Sequence, residues 1–212
     1  MIKVTAFEWV PPFAQGLVRD LRVRWALEEA GLPYEVELID FAVQATADYR
    51  ARQPFGQVPV LEEDGLTLFE SGSIVLHVGE RCETLLPADP RARARAVTWL
   101  FAALNTIEPA VQSLTEIDLF HQGEAWVPLR RPQVEQFAVK RLRELAVRLG
   151  DREYLEGSFT AGDLMMTTVL QIPRHTDLLD REPTLKAYKE RCEARPAFQR
   201  ALRGQMSAFE SR

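Results

Sequence analysis

The sequence predicts an α/β domain followed by an all-α helical bundle. Three observations indicate this class: strand and helix patterns alternate at the start of the chain, a hairpin pattern follows, and only helical periodicity remains beyond it. The predicted boundaries are residues 1–84 for the α/β domain, 85–90 for a linker and 91–212 for the bundle. Both lengths lie within the usual range for a protein domain.

A β-α-β unit opens the chain. Apolar side chains alternate in two strand segments and recur at helical spacing between them: residues 2–7, Val18–Gly31 and 34–38. A loop rich in proline and aromatic residues, 9–16, connects the first strand to the helix. Crossovers of this kind are right-handed and join parallel strands.

A helical connection and a hairpin complete the first domain. Residues 41–56 are expected to be irregularly helical, and two strands, Val58–Leu61 and Leu66–Phe69, are expected to pair through a turn at Asp64. Ser71 then opens the next helix. The order βαβ, helix, ββα predicts a thioredoxin-like domain closed by an antiparallel hairpin.

The remainder of the chain shows helical periodicity alone. The linker carries two prolines, Pro87 and Pro90, which are typical of a segment between domains. Shorter apolar stripes predict an early helix near Trp99 and a late one near Tyr188. A longer stripe predicts a helix that ends at Gly150, and it consists of Val134, Ala138, Leu142, Leu145 and Leu149.

Composition indicates a soluble globular chain without a nucleic-acid or membrane partner. Of 212 residues, 46% are hydrophobic and 27% charged, the formal net charge is −5, and no apolar run is long enough to span a bilayer. The charges are interspersed, so the short basic run Arg91–Arg95 is expected to be the solvated face of a helix. Cys82 and Cys192 lie far apart and no secretory segment opens the chain, so we expect a reduced, cytoplasmic compartment.

The segment Gln57-Val58-Pro59 is the first candidate binding site. A proline at the start of a strand cannot donate to the ladder. A cis Val58–Pro59 bond would turn the Val58 backbone outward, leaving its N–H and C=O free to pair with an extended peptide. The alternative is an edge strand that simply begins at Pro59.

The pair Glu70-Ser71, at the start of the next predicted helix, is the second candidate binding site. The first turn of a helix presents unpaired N–H groups that hold a carboxylate, Ser71 can add a hydroxyl donor, and Glu70 can accept from an ammonium group. The alternative is an ordinary helix cap, with Ser71 or Ser73 capping and Glu70 solvated. Together the two sites suit a short peptide with a free amino-acid head group, as the γ-glutamyl-cysteinyl part of glutathione presents.

Several segments resemble the bacterial cytosolic glutathione S-transferases, and the resemblance spans nearly the whole chain. Those in the first domain cover the first helix and the expected ligand site; those in the second cover a helix-capping box and a closing helix. The segments are Val23–Glu35, Pro54–Leu61, Leu68–Ser71, Phe159–Asp163 and Ala194–Phe198. Within the capping box, Thr160 and Asp163 are expected to cap each other's backbone.

The resemblance implies roles for individual residues. Val58, with Pro59 cis, would hydrogen-bond the cysteinyl backbone of glutathione, Glu70 and Ser71 would bind its γ-glutamyl group, and Gln57 would lie near the ligand. The glycine carboxylate needs a further donor, and three residues stay open as candidates: Arg50, Arg52 and Gln53.

No catalytic residue is identified. A free thiol has a pKa of about 8.5, so a donor must stabilise the glutathione thiolate near neutral pH. Many members of the family use a Tyr, Ser or Cys just after the first strand, and none occurs between Phe7 and Trp25. The donors left in that stretch are Trp9, Gln15, Arg19 and backbone N–H groups near Gly16, and Arg19 could equally pair with Asp20 at the surface.

The leading hypothesis is therefore a homodimeric glutathione S-transferase that adds glutathione to a small hydrophobic electrophile, or uses it to reduce one, in detoxification. The all-α domain would supply the second-substrate pocket. The missing Tyr, Ser or Cys keeps open an alternative, a related protein that binds glutathione without catalysis. His77, His121 and His175 are isolated, so no metal is expected.

Overall fold

The computed structural model describes residues 1–210. Four strands form its sheet: β1 Ile2–Phe7, β2 Tyr34–Ile39, β3 Val60–Glu63 and β4 Leu66–Phe69. Four helices accompany them: α1 Asp20–Ala30, α2 Phe41–Gln44, α3 Ala47–Arg52 and α4 Ser71–Gly79. The strand order is β2-β1-β3-β4, with β1 parallel to β2 and the other pairs antiparallel. The thioredoxin-like α/β arrangement is confirmed.

Two boundaries differ from the sequence pattern for local reasons. β3 begins at Val60 instead of Val58, because Pro59 has no N–H to donate to the ladder. The positive φ of Gly16, 78°, interrupts the turn before α1, so the regular helix begins only at Asp20. The expected irregular connection consists of α2 and α3, whose N-termini are capped by the side chains of Asp40 and Thr46.

The rest of the described chain is helical, as predicted. The helices are α5 Pro90–Ala102, α6 Glu108–Phe120, α7 Val127–Leu149, α8 Ala161–Leu170, α9 Pro183–Glu193 and α10 Pro196–Glu210. Between α5 and α6 a π-helical segment, Ala103–Ile107, lets the Glu108 N–H bond the Ala103 carbonyl. Pro109 cannot donate to the carbonyl four residues before it, which accounts for the change of pitch. None of the helices within residues 1–210 combines the length and apolarity needed to cross a membrane.

The described residues form two compact units. One comprises Met1–Leu86 with the segment from Arg195 onward, and the other Pro87–Ala194. The predicted division places the last helix in the second domain, whereas α10 packs on α1 within the first unit. Phe198 meets the Trp25 ring edge-on, with centroids 4.8 Å apart. The domain boundaries at 84 and 91 stay a prediction.

A buried polar cluster joins α10 to α1. The Asp20 carboxylate accepts from Arg24 Nε and from Gln205 Nε2, both at 2.7 Å, and all three residues are buried. Burial raises the pKa of Asp20, and the Arg24 charge opposes that rise. Gln205 Nε2 and Arg24 Nη1, which donates to the Gly204 carbonyl at 3.1 Å, thus bond across the two helices and fix the rotation of α1 about its axis.

The second unit is organised around the buried carboxylate of Asp163. Thr160 Oγ1 accepts from the Gly162 N–H, and Asp163 accepts from the Thr160 N–H at 2.9 Å, which is the reciprocal capping that the sequence predicts. Asp163 also accepts from the Leu155 N–H and the Tyr188 hydroxyl, each at 2.9 Å. One side chain therefore satisfies donors from the N-cap of α8, from the segment before it and from α9.

Asp163→Ala should lower the free energy of unfolding by about 3 kcal/mol, because two buried N–H groups and a phenol lose their acceptor together. Urea denaturation measures the loss. Asp151→Ala, at an exposed position of the same unit, is the control and should change stability by less than about 0.5 kcal/mol. Equal midpoints for the two variants would contradict this account of the second unit.

Candidate functional site

The segment 57–59 connects the α3 region to β3 in the first unit. The Val58–Pro59 peptide bond is cis, as predicted. Val58 and Pro59 are buried while the Gln57 side chain is exposed. The Gln57 carbonyl turns inward and accepts from the Tyr49 hydroxyl at 2.7 Å. The structure thus holds this short stretch from its inner side.

The pair Glu70-Ser71 lies at the N-terminus of α4. Glu70 is the N-cap residue and its side chain makes no capping hydrogen bond, while its carbonyl accepts from the Ile74 N–H at 3.0 Å. Ser71 is the first helical residue and is 5% exposed. An ordinary serine cap therefore does not describe this terminus. The Glu70 side chain is exposed, and its φ of 68° is one that residues other than glycine rarely adopt.

A buried arginine lies behind Ser71. Arg22 Nη1 donates to Ser71 Oγ at 3.3 Å, and both residues are buried. Because the oxygen accepts this bond, the serine proton stays available for an acceptor outside. The first turn of α4 also carries the partial positive charge of a helix terminus, so the site favours an anion.

The three candidates for a glycine carboxylate have different surroundings. Arg52 bridges Glu37 and Glu62 at 3.0 and 3.1 Å, and its hydrogen bonds to Glu37 raise its pKa further. Gln53 is buried, and its side-chain carbonyl accepts from the Phe55 N–H at 2.7 Å. Arg50 is exposed, with its guanidinium against Gly56, where an added Cβ would lie 3.1 Å from Cζ. Arg50 is the candidate that faces solvent.

The three candidate thiolate donors are spread along the loop between β1 and α1. Gln15 Nε2 donates to the Val10 carbonyl at 3.2 Å, and Arg19 is exposed immediately before α1. Trp9 is 42% exposed and lines a cleft of about 320 Å³. Its lining residues are Glu8, Trp9, Asp40, Phe41 and Ala42. Trp9 therefore faces a cavity large enough for part of a small molecule.

Sequence patterns missed the buried polar residues beneath the site. Arg22 lies within the helical pattern of α1, and nothing in the sequence around it predicts burial. Thr5 is a polar residue in β1, and a polar residue in a strand with alternating apolar residues is expected to face solvent. Thr5 is nevertheless only 1% exposed. Among residues 1–210, no group of three or more His, Cys, Asp or Glu side chains is arranged to hold a metal ion.

Comparison with known proteins gives a consistent result. The model of the glutathione S-transferase N-terminal domain matches residues 13–80. The rice protein named "Probable glutathione S-transferase GSTF2" is 32% identical over 185 residues, which cover 82% of this chain and 86% of the rice protein. Maize (Zea mays) glutathione S-transferase 4 is 31% identical over 212 residues, with 92% of this chain and 89% of that protein covered.

A solved structure agrees with these relatives. A glutathione transferase family member from Pseudomonas fluorescens, crystallised with two glutathione molecules bound, superposes with a TM-score of 0.81 at 25% identity. The match covers 95% of this chain and 92% of that one. The curated relatives named above are plant proteins, so the comparisons do not single out the bacterial members to which the motifs were compared.

Glu70→Gly should be about 1 kcal/mol more stable to unfolding than Glu70→Ala, because both lose the carboxylate and only glycine relieves the positive φ. Urea denaturation of the two variants measures the difference. The same pair of changes at Ser73, exposed in the first turn of α4, should give the opposite order, since alanine is the better helix residue there. A Glu70→Ala variant as stable as Glu70→Gly would be inconsistent with a strained backbone.

Proposed function

The chain belongs to the glutathione S-transferase family, and from that premise we propose that it holds glutathione between the Val58 backbone and the first turn of α4. The chemistry would be attack of the bound thiolate on a small electrophile, giving conjugation or reduction. The observation that supports this most strongly is the N-terminus of α4, where the buried Ser71 hydroxyl is backed by the Arg22 guanidinium.

The γ-glutamyl end of the tripeptide would lie at Glu70 and Ser71. Its α-carboxylate would accept from the Ser71 hydroxyl and from N–H groups of the first turn of α4. Its ammonium group would pair with the exposed Glu70 carboxylate, which the unusual φ of that residue turns toward solvent. Two opposite charges on one carbon atom would thus meet two complementary groups on adjacent residues.

The cysteinyl and glycyl parts of glutathione would extend along the segment 57–59. The cysteinyl backbone would pair with the N–H and C=O of Val58, beside Pro59 and with Gln57 at the margin of the ligand. We propose Arg50 for the glycine carboxylate, because Arg52 is already bound to two glutamates and Gln53 is buried. A carboxylate on an exposed guanidinium forms a charge-assisted hydrogen bond.

The group that stabilises the thiolate stays a proposal among Trp9, Gln15 and Arg19. Trp9 is favoured because its indole lines the cleft, while the Gln15 amide already holds the Val10 carbonyl. The ultraviolet absorbance of bound thiolate against pH separates an enzyme from a binding protein. A bound thiol with a depressed pKa supports catalysis, and an unperturbed one supports binding without catalysis.

A small apolar electrophile would enter beside Trp9 and Phe41, and a homodimer in the cytoplasm is the proposed working form. The second-substrate pocket of the all-α domain remains part of this proposal. Phe55 is 65% exposed and meets the Phe69 ring edge-on at 6.1 Å, a surface suited to burial against a second copy. Within residues 1–210, neither Cys82 nor Cys192 forms a disulfide, which is consistent with a reducing compartment.

Ser71→Ala and Glu70→Ala should each weaken glutathione binding by about 1–3 kcal/mol, since each removes a polar partner of the γ-glutamyl group. Calorimetric titration with glutathione measures the affinity. Ser73→Ala, an exposed serine two residues away, is the matched control and should bind as the unaltered protein does. Retained affinity in both the 70 and 71 variants would rule out this placement of the γ-glutamyl group.

The cleft beside Trp9 should discriminate between electrophiles by charge. Glu8 and Asp40 at its rim repel an anion, so a neutral nitroaromatic halide should react about 3–10-fold faster, by kcat/KM, than a carboxylate-bearing analogue of equal intrinsic reactivity. Asp40→Asn keeps the oxygen that caps α2 and should narrow the ratio. The difference should shrink at high ionic strength. A ratio that is unaffected by Asp40→Asn and by salt would show that the electrophile binds elsewhere.

A further inference from the structure

Two buried hydroxyl groups, those of Tyr49 and Thr5, lie beneath the segment Gln57–Val60 and connect it to the sheet. We propose that Tyr49 and Thr5 are positioning residues that aim the Val58 N–H at the cysteinyl backbone. This inference rests on the proposed function, since it concerns the same site, and it assigns roles to two side chains that never touch the ligand. Tyr49 lies on α3 and Thr5 on β1.

The hydrogen bonds form one continuous chain. The Val60 N–H donates to Thr5 Oγ1 at 2.7 Å, Thr5 Oγ1 lies 3.2 Å from the Tyr49 hydroxyl, and that hydroxyl donates to the Gln57 carbonyl at 2.7 Å. Tyrosine has a single hydroxyl proton, which it gives to Gln57, so Thr5 must be the donor in the middle bond. Each hydroxyl therefore donates once and accepts once.

Because the peptide bond is planar, these hydrogen bonds also set the direction of the Val58 N–H. The Gln57–Val58 peptide is trans, and in a trans peptide the C=O and the following N–H point in opposite directions within one rigid plane. Tyr49 holds the Gln57 carbonyl toward the interior. The Val58 N–H must then point the opposite way, which is the direction that the proposed cysteinyl contact requires.

The surroundings make the two hydroxyls hard to replace. Thr5 and Tyr49 are each 1% exposed, so water cannot take over a missing bond without entering the core. Burial raises the pKa of the Tyr49 phenol, which keeps its donor proton in place around neutral pH. Loss of either hydroxyl leaves a buried polar group of the chain without its partner.

The chain is anchored on rigid elements. β1 pairs with β2 on one side and with β3 on the other, so Thr5 belongs to a central strand. Tyr49 begins its helical turn with its N–H bonded to the Thr46 side chain. The hydrogen bonds therefore fix the Val58 amide relative to the sheet. A binding group held in place before the ligand arrives is pre-organised.

Tyr49→Phe and Thr5→Val remove one hydroxyl each at nearly constant volume. Calorimetric titration with reduced glutathione should show affinity about tenfold weaker in both, the fold-change that corresponds to one buried hydrogen bond. KM for glutathione should rise more than kcat falls, because the loss is in ground-state binding. Thr5→Ser keeps the hydroxyl and should restore affinity to within about twofold of that of the unaltered protein.

Two controls separate positioning from general stability. Tyr154→Phe removes a tyrosine hydroxyl in the second unit and should leave glutathione affinity unchanged. Melting temperatures are measured for every variant, and titrations are run where each is fully folded. The double variant Tyr49→Phe with Thr5→Val should bind about as weakly as either single variant, because one chain is broken in all three.

The outcomes are distinguishable. If the unaltered protein does not bind glutathione, the proposed function fails and this inference falls with it. If the unaltered protein binds while Tyr49→Phe and Thr5→Val bind equally well, the positioning role is wrong and the proposed function stands. A lower melting temperature with unchanged affinity of the folded protein overturns the positioning role in the same way.

Discussion

The hydrogen bond from the Tyr49 hydroxyl to the Gln57 carbonyl is the contact on which the binding arrangement depends. It fixes one edge of a peptide plane, and the opposite edge of that plane carries the Val58 N–H. Without this hydrogen bond, no side chain among residues 1–210 would hold the Gln57–Val58 peptide plane in one orientation. Thr5, on β1, hydrogen-bonds the Tyr49 hydroxyl, so the position of the site is fixed by the sheet.

Buried residues also support the N-terminus of α4, where the γ-glutamyl carboxylate would bind. The first turn of α4 supplies N–H groups, and Arg22 supplies a buried cation that holds Ser71 Oγ. Arg22 is carried by α1, and the Asp20–Arg24–Gln205 cluster fixes the rotation of that helix against α10. Helix α10 thus supports a site formed by residues far from it in sequence.

Element order and the local motifs could be predicted from sequence, because strand alternation, helical periodicity, capping patterns and proline positions are local signals. The segment Val58–Pro59, the start of α4 at Ser71 and the Thr160–Asp163 box belong to this class, while the ligand-binding roles of Val58, Glu70 and Ser71 stay predictions. The roles of Arg22, Thr5 and Tyr49 could not, because each depends on which partner the tertiary fold brings to a buried polar atom. The packing of α10 on α1 also depends on tertiary contacts, such as that between Phe198 and Trp25. The π-helical turn before Glu108 was missed although Pro109 is a local signal for it.

The most direct test of this account is a crystal structure of the protein with glutathione bound. We predict that the cysteinyl backbone pairs with the Val58 N–H and C=O, with the γ-glutamyl carboxylate at Ser71 Oγ and the α4 N-terminus. A tripeptide seated elsewhere, or one whose cysteinyl backbone makes no contact with Val58, would contradict the central claim even though the fold and family would be unaffected.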